Sequence, residues 1–238
     1  MIEAHLRELA CYKMDKSIFK IKVIKMKTFS RSVLGIVCLL FSVAASTHPH
    51  AFIDMKTKIL VQEQQLIGFS MEWTLDEASS ATVLYDMRQT RGDKQALQAL
   101  VEEVMGNIVH EHYFSYLYDK AGKKIKYRSK PQNYGMKSNQ NQVQYYFDFL
   151  LSQPRTLAKD ELTLLTYDPT YYVAMYYDQE NQSALDFSAL PAHCQGRVIE
   201  PQVDAKIREY ASSLDQTQRN EDDSLGVIFA QKAMLICE

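Results

Sequence analysis

Over residues 51–74 the chain alternates apolar and polar side chains with a period of two, and this constrains its architecture more than any other feature. Phe52, Ile53, Met55, Ile59 and Val61 interleave with Asp54, Lys56, Thr57 and Lys58. In the segment that follows, Ile67, Phe69, Met71 and Trp73 fall on one face. Alternation of this kind marks a half-buried strand, because successive side chains point to opposite faces of a sheet. The polar stretch Gln62-Glu63-Gln64-Gln65 between the two runs is a turn, so the pair is expected to be antiparallel. A chain that opens this way must find a second layer to cover the apolar face.

The next elements are helical. Thr74-Leu75-Asp76-Glu77 has the spacing of a capping box, with the Thr74 hydroxyl and the Glu77 carboxylate serving amides at a helix start. A helix over about 77–88 follows. Gly92-Asp93 ends it, and Asp93 caps a second helix running to about 109. There Leu97, Leu100, Val101, Val104, Met105 and Ile108 recur at steps of three and four. Beyond residue 114 the period returns to two. A hairpin is expected over 114–129, then a polar loop over 133–142, and strands at 143–151, 162–167, 171–177, 184–187 and 197–200. A short helix opens at Pro201 and ends near 213. A polar linker over 214–224 leads to a helical turn and a last strand ending at Cys237. Strands, two helices, then many strands is the pattern of an α+β fold. The expected form is antiparallel and sandwich-like, with two or three helices inserted mainly in the first half.

A leader precedes this. Met26-Lys27-Thr28-Phe29-Ser30-Arg31 is a basic opening; residues 33–45 are an apolar run that closes on Val43-Ala44-Ala45-Ser46. This is the layout of a secretory signal peptide, and the run is shorter than the roughly 18 residues of a membrane span. Residues 26–46 are therefore expected to be cleaved, with Ser46 or Thr47 first in the mature chain. Residues 1–25, a mixed-charge stretch without an apolar block, are a mis-extended start or a long n-region. A single α+β domain over 47–238 remains, in the periplasm and with no span after cleavage.

The charge balance limits the partners. Residues 46–238 carry 19 Lys+Arg against 26 Asp+Glu, which lacks the basic excess that phosphate binding needs, so no nucleic acid is expected. The same segment keeps two cysteines, Cys194 and Cys237. An even count in an oxidising compartment predicts one disulfide between them. None of the GxSxG, HExxH, P-loop or GxGxxG patterns occurs, and no enzyme is expected.

His48-Pro49-His50 is the candidate ligand set. Imidazole is the commonest protein ligand for transition metals. In extended chain, residues two apart share a side, so His48 and His50 can face one ion, and Asp54 keeps their parity. Asp76, Glu77 and Asp168 are weaker candidates at strand ends, where caps and turns also explain them. Two ligands alone make a weak site. Cleavage after Ala45 would start the chain Ser46-Thr47-His48, whose amine, amides and imidazole form a square-planar nitrogen set suited to Cu(II) or Ni(II). His110-Glu111-His112 falls at a helix end, where residues two apart diverge. His193 beside Cys194 is outweighed by the disulfide. Tyr145-Tyr146, Tyr171-Tyr172 and Tyr176-Tyr177 make the sheet aromatic-rich, for a core or a partner surface.

The order His48-Pro49-His50-Ala51-Phe52-Ile53-Asp54, Glu72-Trp73-Thr74-Leu75-Asp76-Glu77, Tyr167-Asp168-Pro169-Thr170-Tyr171-Tyr172, Gly226-Val227-Ile228-Phe229-Ala230 and a closing Cys237 resembles an uncharacterised bacterial periplasmic family. That family is labelled as a periplasmic component of an ABC-type transport system, and its genes often neighbour nickel/cobalt-type permeases. The resemblance implies an accessory of nickel-, cobalt- or zinc-type transport that binds or hands over the ion beside an inner-membrane metal permease, with His48 and His50 matching the family's opening; copper enters only through the square-planar nitrogen set. The alternative is an envelope protein that binds no metal and docks the permease through its aromatic-rich sheet.

Overall fold

The computed structural model describes residues 49–178, 180–181, 183–214 and 224–238, all within a compact unit over Thr47–Glu238. Strands β1 (Ala51–Gln62) and β2 (Gln65–Leu75) form the expected hairpin. Its two-residue turn holds Glu63 and Gln64 at φ 49° and 60°, the left-handed geometry that matches the twist of a tight hairpin. A bulge between Leu66 and Gly68 in the pairing with the later strand β6 (Val143–Thr156) breaks the alternation. Leu66 is therefore buried while Ile67 lies half-exposed, and the expected apolar face runs only from Phe69 to Trp73.

Helix α1 spans Glu77–Gln89 and α2 spans Lys94–His110. The cap of α1 is Asp76, which accepts the Ser79 N–H at 2.8 Å, and not Thr74. Thr74 is still in the β2 ladder, paired with Asp54 and Gln144, so it cannot act as a helix cap. Asp93 caps α2 as its position predicts, accepting from Gln95 and Ala96. Both helices close over one end of the sheet, where Val83, Leu84, Met87 and Val104 pack on Leu75, Val143 and Tyr145.

After a left-handed turn at His112–Phe114 come β3 (Ser115–Asp119), β4 (Lys124–Ile125) and β5 (Gln132–Ser138). The region expected as a polar loop thus holds an edge strand. β5 pairs with β6 through its backbone and has too few apolar residues to show a period. Then follow β7 (Glu161–Thr166), β8 (Val173–Tyr176), β9 (Leu185–Asp186) and β10 (Cys194–Ile199). The chain ends with α3 (Ala205–Ser213), α4 (Leu225–Phe229) and β11 (Lys232–Cys237). Most of the expected polar linker lies outside the described residues.

The strands form two sheets, ordered β5-β6-β2-β1-β8 with β9 also against β1, and β10-β11-β7-β3-β4. The first is mixed rather than purely antiparallel, because β8 and β9 lie parallel to β1. Both return to β1 only after a long excursion through the second sheet, and such crossovers permit parallel pairing where hairpins do not. Met55, Ile59, Phe69, Met71, Phe147 and Phe149 form the buried face of the first sheet. Leu117, Leu162, Leu164, Ala233 and Leu235 supply that of the second. A run of buried hydroxyls ties the sheets together. Thr57 meets Tyr177 at 3.0 Å, Tyr177 bonds Thr166, and Thr166 meets Ser115 at 3.1 Å. Gln231 holds the backbone of Tyr177 from the other side, accepting its N–H at 2.6 Å and donating to its carbonyl at 3.2 Å. Cys194 and Cys237 stand opposite each other in the β10–β11 ladder and are joined by the expected disulfide. Among the described residues no helix is long and apolar enough to cross a membrane.

Candidate functional site

The start of β1 is locked into the fold by a turn that follows β7. Asp168 organises that turn. Its carboxylate accepts from the Thr170 N–H and hydroxyl and from the Val173 N–H, each at 3.0 Å, while its carbonyl accepts the Tyr171 N–H at 2.9 Å. Tyr171 takes φ 58° and stacks on Phe229 with ring centroids 4.0 Å apart. Parallel pairing of β1 with β8 then sets His50 beside Tyr172. The His50 N–H donates to the Tyr172 carbonyl at 2.9 Å, and the two rings lie 4.8 Å apart. His50 therefore belongs to the folded body and not to a loose tail. His48 lies outside the described residues.

Two residues on, the Phe52 N–H donates to Asp76 Oδ2 at 2.7 Å and the Phe52 carbonyl accepts the Asp76 N–H at 2.9 Å. The same carboxylate accepts the Ser79 N–H and hydroxyl at the start of α1. Asp76 thus fixes the helix to the strand, and its oxygens are engaged in doing so. Glu77 stands exposed in the first turn. Asp54 pairs across the ladder with Tyr176. Its Oδ1 is buried and makes no hydrogen bond. Burial, and then the neighbouring charge of Asp178, raise its pKa, while Lys56 opposes them.

The sequence-predicted donors are thus spread along an edge. His50 and Asp54 share a face, but four residues of strand at about 3.3 Å each separate their backbones by roughly 13 Å. Asp168 and Asp76 serve a turn and a cap. Among the described residues no three His, Cys, Asp or Glu side chains stand close enough to hold a metal ion. His110 ends α2 and His112 lies in the turn beyond it, both exposed. His193 Nε2 bonds the Leu157 carbonyl at 2.6 Å.

The tyrosines divide differently from a continuous row. Tyr145, Tyr172 and Tyr177 are buried; Tyr146 and Tyr171 are half-buried; Tyr176 alone of the six is exposed. The exposed aromatic that joins it at this edge is Phe52. Sequence reasoning placed Phe52 among the apolar residues of the strand and did not single out Asp178. The signal for Asp178 was its two-residue step from Tyr176, which puts both on one side if the strand continues.

A protein of Haemophilus influenzae, named only as an uncharacterized protein, is 57% identical over 213 residues, covering 90% of this chain and all of its own length. No solved structure matches the chain. Residues 33–237 match the family described as "Protein of unknown function (DUF1007)". The chain belongs to that family.

Proposed function

We propose that this protein is a periplasmic accessory of a transition-metal transport system, which receives nickel, cobalt, zinc or copper at His48-Pro49-His50 and hands it to an inner-membrane permease. The observation that carries this reading is the anchoring of His50 by its N–H to Tyr172 and by its ring against the same residue. A ligand fixed to the body presents an ion at a defined place, whereas a histidine on a free tail does not. The described donors supply one imidazole here, and the rest of a ligand set would come from His48 and the residues before it. Such a small set suits transfer better than storage, since stable sites use three or four protein ligands. Asp54, on the same face, contributes an oxygen too distant for the first coordination sphere of His50, so its part would be to draw cations toward the edge.

Calorimetric titration of the processed protein with Ni(II), Co(II), Zn(II) and Cu(II), beside a His48→Ala/His50→Ala variant, tests this. The expected result is one-to-one binding that the variant loses. Equal heats from both proteins, or none from either, would overturn it. The exposed pair Phe52 and Tyr176 favours a second reading, an envelope protein that docks the permease and holds no ion.

A further inference from the structure

On the outer face of the first sheet, β1 and β8 bring two exposed aromatics and three carboxylates together. Phe52 is 45% exposed and Tyr176 40%. In the parallel register Phe52 stands opposite Ala174 and Asp54 opposite Tyr176, so the two rings are diagonal neighbours on one face. Asp54, Asp178 and Asp76 all act on the Tyr176 hydroxyl. Asp76 also touches the backbone of Phe52. Lys56 is the cation that bears on Asp54 from the same strand. The patch is net acidic with an aromatic centre.

Each feature is unfavourable in the isolated protein. Apolar ring surface stands in water, Asp54 and Asp178 repel, and Asp54 Oδ1 is buried without a hydrogen bond. A cationic side chain covers the exposed rings and screens the repulsion between the two carboxylates at once. A guanidinium stacks on aromatic faces and donates paired hydrogen bonds to carboxylates. Local rules broken together in this way mark a functional surface. We propose that this edge is a docking surface for a basic segment of a protein partner, an arginine- or lysine-bearing loop that lays its cations on Phe52 and Tyr176 between the three aspartates. The surface is an open sheet face, suited to a macromolecule more than to a small amine, which needs enclosing walls. A second copy of this chain would oppose acid to acid.

The test is fluorescence anisotropy of a labelled heptapeptide of alternating arginine and leucine, titrated with the processed protein in EDTA. The chelator separates this result from that of the metal titration. The expected result is saturable binding, weakened at least tenfold in Asp178→Asn and in Phe52→Ser/Tyr176→Ser, and strengthened in Lys56→Ala. Tyr85→Ser, an exposed aromatic on α1, should leave it unchanged. These side chains are exposed or half-exposed, so melting curves of the variants should stay close to the parent. The proposal is overturned if the peptide does not bind or binds all variants equally. It is also overturned if a glutamate-for-arginine peptide or spermidine binds as tightly, or if Phe52→Ser/Tyr176→Ser instead abolishes a self-association seen by sedimentation.

Discussion

Asp54 shows how one side chain at this edge sets a pH dependence. Its folded pKa lies above the ordinary value of 3.8 because burial and Asp178 disfavour the carboxylate. An acid raised in this way contributes stability below its unfolded pKa and loses that contribution as the pH rises through the folded value. At neutral pH the ionised group is therefore a liability. Asp54→Asn should raise the melting temperature at pH 7 and give no gain at pH 3, which thermal melts by circular dichroism at the two values would check. An equal gain at both would show that packing, not ionisation, is responsible. The sequence revealed the face of Asp54, since parity along a strand is enough for that. It did not reveal Asp178 beside it, because that contact depends on β8 returning to β1 from more than a hundred residues away. The role of Asp76 was half legible: a cap was expected at 74–77, but the β2 ladder runs to Leu75 and moves the cap two residues on.

Among the elements, α4 and the Asp168 turn depend on one close approach. The Gly226 N–H donates to the Pro169 carbonyl at 3.0 Å, and a Cβ at Gly226 would land on the Asp168 carbonyl oxygen. Gly226→Ala must push α4 away from the turn that positions Tyr172 and, through it, His50. We expect a loss of about 1–3 kcal/mol in urea unfolding, the usual cost of overpacking. Gly106→Ala is the counterpart, in the exposed middle of α2 with nothing within 4 Å of its Cβ. It should stabilise by about 0.5–1 kcal/mol through helix propensity alone. Periodicity made α2, β1 and β2 readable, because each has an apolar stripe of its own, while α1 was marked by the cap spacing before it and Gly92-Asp93 after it. It could not reveal β5, an edge strand held by backbone pairing, with Tyr134 and Met136 as its only large apolar residues.

For the whole molecule, the disulfide closes a loop with 43 residues of sequence separation at the edge of the second sheet. The chain-entropy estimate gives it roughly 3–4 kcal/mol. Cys194→Ser/Cys237→Ser should lower the urea midpoint and steepen the slope, because the unfolded chain without the cross-link exposes more surface, and reduction of the parent should reproduce both changes. An unchanged midpoint would mean that the β10–β11 ladder alone confines the tail. The α+β class and the pairing of these cysteines were legible from segment order and cysteine count. The division of the eleven strands among the described residues into two sheets was not, since β8 joins β1 and β11 enters between β7 and β10, and neither placement follows from neighbours in the chain. That placement of β11 governs the order of assembly. A polypeptide released from its N-terminus can close the β1–β2 hairpin early, yet its second sheet lacks a central member until residues 232–237 are free. Contacts this distant in sequence slow folding, so the second sheet closes only after residues 232–237 have joined it.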